Sequence, residues 1–157
     1  MFPIHTILHP TDFSDHSLCA FRVACALARD YNALLIVLHV DYLPAALYGD
    51  VIATPRPADY ETRLREQLYG LRAEPGTRVD HRLNEGHPVT EILGVAEEVN
   101  ADMIVMGTHG RTGLGRLLLG SVAEQVMRKA RCPVLTVRKP LPEAVPAAQP
   151  AAEAAHA

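Results

Sequence analysis

Short apolar runs alternate along this chain with longer stretches in which apolar residues recur every three or four positions. The short runs are typical of strands, and the periodic stretches are typical of amphipathic helices. We predict strands at residues 4–9, 34–40, 77–83, 103–106 and 133–138. We predict helices at about residues 15–30, 58–74, 88–99 and 121–130. This alternating order predicts an α/β fold, with an open parallel sheet that carries helices on both faces.

The apolar character of the strands separates inner strands from an edge strand. Residues 34–40 and 103–106 are apolar at almost every position, which is typical of parallel strands covered on both faces. Residues 77–83 instead alternate, with Val79 and His81 on the same side. We therefore expect the first two strands inside the sheet and the alternating strand at its edge.

Local signals predict several element boundaries. The first strand is expected to end at Pro10, which has no backbone N–H for a ladder. Ser14 is a suitable N-cap for the first helix, and Pro88 suits the first position of the third. The helix at 58–74 is expected to carry Leu71 on its apolar face.

Two segments show neither pattern. Residues 41–57 contain several prolines and a glycine without a clear period, so we predict a loop that is functional or mobile. Residues 140–157 are rich in Ala and Pro and lack large side chains, which predicts a disordered tail. We expect one folded domain at 1–139 followed by this tail.

The composition argues against several classes of partner. A chain of 157 residues suits one domain, and its net charge of −3 argues against a general nucleic-acid binder. Aromatic residues make up 5% and Trp is absent, so a base-stacking platform is not expected. No apolar run reaches the roughly 20 residues that span a bilayer, and the first residues lack the pattern of a secretory signal. We expect a cytoplasmic protein that binds neither nucleic acid nor membrane.

A glycine-rich loop joins the strand at 103–106 to the helix at 121–130. It leaves the carboxyl end of a central strand, which is where open α/β sheets bind ligands. Glycines let the backbone approach a phosphate closely, and the helix start offers N–H groups and the positive end of its dipole. Arg111 and Arg116 add positive charge to this loop. These features together predict a phosphate-binding loop.

The spacing of these glycines differs from two common nucleotide motifs. The Gly-Lys-Ser/Thr of a Walker A loop is absent, and Leu118 stands where a dinucleotide fingerprint needs its third glycine. Gly107-x2-Gly110-x9-Gly120-Ser121 instead resembles the G-x2-G-x9-G-(S/T) signature of the ATP-binding universal stress proteins.

Three further segments share this resemblance. Pro10-Thr11-Asp12 after the first strand, His39-Val40 at the end of the second strand and 132–138 in the last strand look like the corresponding family segments. The resemblance covers about residues 3–139. It implies a Rossmann-like, five-stranded sheet in the order 3-2-1-4-5, as in the adenine nucleotide alpha hydrolases.

The resemblance also implies an ATP site. Asp12 would lie near the ribose or a phosphate-bound metal ion, and the backbone of Val40 would contact adenine. Gly107 and Gly110 would line the ribose and phosphates. Magnesium or manganese, if bound, would come with the triphosphate, and no separate metal site is expected. The residues expected at the nucleotide are Pro10, Thr11, Asp12, Val40, Met106, Gly107, His109, Gly110, Arg111, Gly120, Ser121 and Val122.

Simpler interpretations of some of these residues stay open. Ser121 and Glu124 form the S-x-x-E pattern of a capping box, so Ser121 could serve as an N-cap. Asp12 could only shape a turn through local hydrogen bonds. His109 could be a solvated loop residue, and Arg111 could only keep the surface soluble.

Three functions fit these observations. The first is an ATP-loaded regulator of a stress response. The second is a weak ATPase or self-phosphorylating protein, which we expect to be slow because the loop holds no Lys and we assign no catalytic residue. The third is an interaction module that binds no nucleotide. ADP, AMP and cyclic nucleotides remain alternatives to ATP.

The last predicted strand offers an edge for association. Residues 133–138 place Val134, Leu135 and Val137 along an edge that is unpaired unless something covers it. The family resemblance implies that two copies pair there. We therefore expect a homodimer.

Overall fold

Strands and helices alternate strictly in the part of the chain that the structure describes. The structure is a computed structural model, and it describes residues 3–42, 56–108 and 120–138. The strands are β1 (Thr6–Thr11), β2 (Leu34–Asp41), β3 (Arg78–Glu85), β4 (Met103–Gly107) and β5 (Val134–Val137). The helices are α1 (Asp15–Tyr31), α2 (Tyr60–Tyr69), α3 (Pro88–Glu98) and α4 (Ser121–Lys129).

The strands form one parallel sheet in the order β3-β2-β1-β4-β5. The predicted fold class and strand order are therefore confirmed. The two continuously apolar strands, β2 and β4, lie inside the sheet on either side of β1. The alternating strand β3 lies at one edge, as its pattern predicts.

Two apolar clusters cover the two faces of the sheet. Successive side chains of a strand point to opposite faces, so Leu8 lies in one cluster and Ile7 in the other. The cluster beneath α3 and α4 includes Ile36, Ile92, Ile104 and Val126. The cluster beneath α1 and α2 includes Phe21, Val37, Leu68 and Val105. Burying each such side chain contributes about 1.5–3 kcal/mol, so these clusters hold the helices against the sheet.

The first strand begins and ends two residues later than the sequence predicts. It spans Thr6–Thr11 instead of residues 4–9, so Pro10 lies within it. The Asp102 N–H, just before β4, donates to the Thr6 carbonyl. Backbone groups alternate in direction along a strand, so the N–H and C=O positions of Thr6, Leu8 and Pro10 face β4. Pairing between β1 and β4 ends at Leu8, where Pro10 has no N–H to donate, whereas pairing with β2 continues to Thr11.

The second helix is shorter than predicted. It spans Tyr60–Tyr69, whereas the periodic pattern suggested residues 58–74. Gly70 follows as its C-cap, and the low helix propensity of glycine favours an end there. Leu71 thus lies beyond the helix, where its carbonyl accepts a hydrogen bond from His81 Nε2 at 2.9 Å.

Two other helix starts agree with the sequence. Ser14 is the N-cap of α1, and its Oγ accepts a hydrogen bond from the Ser17 N–H at 3.3 Å. Pro88 occupies the first turn of α3. Most of the predicted loop at 41–57 and the whole tail at 140–157 lie outside the described residues. Among the helices that the structure describes, none is long and apolar enough to cross a membrane.

Candidate functional site

The candidate residues that the structure describes gather at the carboxyl ends of the strands. Parallel strands bring their carboxyl ends to the same side, and the start of α4 lies beside them. Those at the strand ends are Pro10, Thr11, Asp12, Val40, Met106 and Gly107, and those at the start of α4 are Gly120, Ser121 and Val122. His109, Gly110 and Arg111 lie outside the described residues.

A pair of backbone hydrogen bonds places the start of α4 against β4. The Gly120 N–H donates to the Thr108 carbonyl at 2.7 Å. The Thr108 N–H donates in turn to the Val137 carbonyl of β5 at 3.0 Å. The glycine-rich segment thus leaves and returns at the same point of the sheet, and both its ends are fixed.

The start of α4 differs from the predicted capping box. Gly120 is the N-cap, and its carbonyl accepts the first helical bond from the Glu124 N–H at 2.9 Å. Ser121 is therefore already helical and exposed, so its hydroxyl does not serve as the N-cap. The Glu124 carboxylate instead accepts a hydrogen bond from Arg128 at 2.7 Å. A glycine N-cap adds no side chain over the positive end of this helix.

A network of short hydrogen bonds fixes the turn between β1 and α1. The buried Thr11 hydroxyl accepts from the Phe13 N–H at 3.1 Å and from the Ser17 hydroxyl at 2.8 Å. Asp12 Oδ1 accepts from the Ser14 N–H at 3.0 Å and from its hydroxyl at 2.6 Å. The turn-shaping interpretation of Asp12 is thus confirmed, while its contact with a ligand stays a prediction.

The same turn contains a feature that the sequence analysis missed. Phe13 has a φ of 64°, and its ring packs against that of His39 with 4.4 Å between centroids. His39 Nδ1 also lies 2.8 Å from the Thr11 carbonyl, to which an Nδ1–H donates. The only signal in the sequence was the position of His39 on the side of β2 that also carries Val37.

His9 of β1 makes a similar side-chain hydrogen bond, to the neighbouring strand β4. Its Nδ1 lies 2.8 Å from the Val105 carbonyl, and its side chain is fully buried. Burial lowers the pKa of His9 from 6.5 to about 4, despite the raising effects of that hydrogen bond and of Asp12. His9 and His39 each lie two residues before the end of neighbouring strands, and the hydrogen bonds described above link each of them to a strand carbonyl.

The two candidate residues at the end of β4 have structural roles. A Cβ on Gly107 would lie 2.9 Å from the His16 carbonyl carbon and 3.1 Å from the Ser17 nitrogen. The glycine therefore lets α1 pack closely against β4. Met106 is 5% exposed and its side chain lies in the cluster beneath α3 and α4, so only its backbone is available at the carboxyl end of β4.

Metal-ligating side chains do not cluster in the part of the chain that the structure describes. Residues 3–42, 56–108 and 120–138 contain no group of three or more His, Cys, Asp or Glu side chains placed to hold a metal ion. Asp12 follows β1, which is the neighbour of β4 in the sheet.

Comparisons with known proteins agree with this architecture. The model of the universal stress protein family matches residues 3–138. Universal stress protein MJ0531 of Methanocaldococcus jannaschii is 40% identical over 143 residues, which cover 87% of this chain and 84% of that protein. The solved structure of hypothetical protein MJ0577, from the same organism, is 29% identical with a TM-score of 0.69 and covers 88% and 99% of the two chains. A universal stress protein crystallised in complex with cAMP is 31% identical with a TM-score of 0.64, and the same shares of the two chains are covered.

Proposed function

The chain belongs to the universal stress protein family, and from this premise we propose that it is an ATP-binding regulator of a stress response. Its conformation or its partners would depend on the bound nucleotide. The observation that carries the proposal is the start of α4, held by Gly120 and Thr108 against the carboxyl end of β4. The 31% identical universal stress protein in complex with cAMP supports an adenine nucleotide as the ligand class.

The phosphates would lie at the start of α4. Backbone N–H groups and the positive dipole end of a helix attract anions there. Gly120 adds no side chain to obstruct the approach, and the exposed hydroxyl of Ser121 can donate to a phosphate oxygen. The backbone of Val122 completes this part of the site. Gly110 and Arg111 would contribute from the loop itself.

The remainder of the nucleotide would lie across the ends of β1 and β2. Asp12 stands one residue beyond β1 and would contact the ribose or a magnesium or manganese ion carried by the triphosphate. Val40 stands one residue before the end of β2, where its backbone would contact adenine. Because β1 and β2 are adjacent, one ligand can span the ends of both strands.

Two copies of the chain would associate along β5. This strand is at the sheet edge, and Leu135 is 38% exposed on it. An unpaired, apolar edge favours pairing with a second strand. We include the homodimer in the proposal.

Calorimetric titration of magnesium ATP into the nucleotide-free protein tests the proposal. Gly120→Val should abolish binding, because the added side chain lies where the phosphates would approach. The substitution should preserve the fold, since Gly120 has a φ of −59° that valine adopts readily. Gly94→Ala is the matched control, because Gly94 lies in α3 with no atom within 4 Å of an added Cβ.

The titration and an assay of phosphate release together distinguish the competing functions. Wild-type protein that fails to bind ATP at millimolar concentration would overturn the proposal in favour of a nucleotide-independent interaction module. Phosphate release at about 1 per second or faster, an ordinary enzymatic rate, would identify an ATPase instead of a binding regulator. Competition with ADP, AMP and cAMP identifies which adenine nucleotide binds most tightly.

A further inference from the structure

The turn between β1 and α1 is held from outside by a residue of β2. We propose that His39, acting with Phe13, is a positioning residue that fixes this turn in the conformation presenting Asp12 to the nucleotide. The inference rests on the proposed function for its ligand. The positioning itself rests on the geometry of the turn.

Phe13 occupies a backbone conformation that bulky residues rarely adopt. Its φ of 64° lies in the left-handed region. Among the described residues, the other non-glycine positions with positive φ are Asn32 and Asn100, and asparagine tolerates this region well. Strained residues persist where the surrounding structure determines their conformation, and they concentrate at functional sites. The contacts of Phe13 should therefore explain why the strain is maintained.

Contacts within the turn supply part of this support. The Phe13 N–H donates to the Thr11 hydroxyl, and Ser14 donates twice to Asp12 Oδ1. These bonds join residues only two positions apart. They would stabilise a compact turn, but they do not tie it to the rest of the sheet.

His39 provides that tie through two contacts. Its Nδ1–H donates to the Thr11 carbonyl at 2.8 Å, and its ring packs on Phe13 at 4.4 Å between centroids with an angle of 35° between the planes. The side chain of His39 is 7% exposed, so water competes little for either contact. Asp12 lies between the two residues that His39 contacts. His39 is 28 residues from Thr11 in sequence, so contacts from β2 reach both chain neighbours of Asp12.

Substitution of His39 separates its donor from its ring. His39→Phe keeps an aromatic ring against Phe13 but removes the N–H donor, so Phe13 can relax and Asp12 can turn away. We expect the affinity for magnesium ATP to fall about tenfold, as losing one buried hydrogen bond can cause. His39→Asn retains a donor near the position of Nδ1 and should bind within about threefold of wild type.

His81→Phe is the matched control. His81 also contacts a carbonyl, that of Leu71 at 2.9 Å, and an aromatic ring, that of Tyr69 at 5.2 Å. It lies on β3, away from the proposed site. His81→Phe makes the same chemical change away from the site, so the affinity for magnesium ATP should change by less than about twofold.

Two readouts separate positioning from a general loss of stability. In nucleotide-free protein, hydrogen exchange of the Phe13 and Ser14 amides should accelerate about tenfold in His39→Phe and stay unchanged in His81→Phe. In a double-mutant cycle, His39→Phe should change ATP affinity by less than about twofold once Asp12→Ala is present. That result would show that His39 acts through Asp12.

Opposite results would overturn the inference. Unchanged exchange of both amides in His39→Phe would show that His39 does not hold the turn, whether or not ATP binds. Fully additive losses of affinity in the cycle would show a structural role only. If His39→Phe does not fold, Phe13→Ala removes the same ring contact while keeping a Cβ in the left-handed region, and unchanged Ser14 exchange there would overturn the inference equally. A wild-type protein that binds no ATP would refute the proposed function, and the exchange data would still decide the positioning.

Discussion

Gly107 has no side chain because the backbone of α1 occupies the space where one would lie. An alanine Cβ would lie 2.9 Å from the His16 carbonyl carbon and 3.0 Å from its oxygen, both of them backbone atoms. Since neither atom moves without shifting the helix, Gly107→Ala should lower the free energy of unfolding by about 1–3 kcal/mol. Denaturant unfolding measures this change.

Gly94→Ala provides the contrasting case in the same experiment. Gly94 is an exposed residue within α3, and an added Cβ would meet no atom within 4 Å. Alanine should raise the free energy of unfolding by up to about 1 kcal/mol, because it favours the helix more than glycine does. Equal effects at the two positions would show that the close approach at Gly107 has no energetic importance.

His9 should make stability depend on pH. Burial lowers its pKa from 6.5 to about 4 in the folded protein, so between these values the unfolded chain binds more protons. The contribution of His9 is complete above pH 6.5 and is lost as the pH falls through about 4, a total of about 3 kcal/mol.

Comparison with His9→Asn isolates this effect. Asparagine keeps a donor for the Val105 carbonyl but does not titrate. The wild type should lose about 3 kcal/mol more free energy of unfolding than the variant between pH 6.5 and pH 4, measured by urea unfolding at each pH. Parallel pH profiles for the two proteins would contradict a neutral, buried His9.

The sequence revealed some residue roles at the site and concealed others. The capping role of Ser14 and the turn around Asp12 follow from local chemistry that any short window of sequence contains. The left-handed conformation of Phe13 was not predictable, because phenylalanine does not favour it. His39, whose ring packs against Phe13, is brought near only by the pairing of β1 with β2.

Helix starts provide the test at the scale of elements. Ser14 caps α1 through the Ser17 N–H, whereas Ser121 is an exposed residue within the first turn of α4. Ser14→Ala should lower the free energy of unfolding by about 1 kcal/mol, and Ser121→Ala should change it by less than about 0.5 kcal/mol. Thermal or denaturant unfolding of both variants measures the difference. A comparable loss in Ser121→Ala would instead show that the Ser121 hydroxyl caps α4.

Element boundaries were predictable only where a local signal coincided with tertiary structure. Pro88 correctly predicted the start of α3. The N–H at the first position of a helix has no partner within the helix, so proline loses no helical hydrogen bond there. The same local logic predicts that β1 ends at Pro10. That prediction was wrong, because whether a strand tolerates proline depends on which neighbour its N–H would face.

At the scale of the whole molecule, the alternation of apolar patterns sufficed for the architecture. Continuous apolar runs fixed which strands are inside, since a parallel strand with helices on both sides is buried on both faces. The gathering of candidate residues at the carboxyl edge followed from the parallel arrangement. The strand order itself came from the family resemblance of the glycine motif. Residues 109–111 lie outside the described residues, so their contributions to the site stay predictions.

The two edges of the sheet differ in a way that predicts how copies associate. The edge strand β3 carries charged residues, and its Arg82 pairs with Glu98 at 2.9 Å. Such charges oppose pairing with another strand. The edge strand β5 instead exposes Leu135, and Met127 of the neighbouring α4 is 42% exposed.

Leu135→Lys should therefore convert the proposed homodimer into a monomer, because pairing two β5 edges would bring two like charges into a desolvated contact. Light scattering at tens of micromolar, a concentration at which a dimer of micromolar affinity is largely formed, measures the mass. Asp80→Lys on β3 is the control and should leave the mass unchanged, since that exposed position already carries a charge. A wild-type protein that is already a monomer would refute the dimer. A dimer lost in Asp80→Lys but kept in Leu135→Lys would instead place the interface at the charged edge, against the rule that apolar edges pair and charged edges do not.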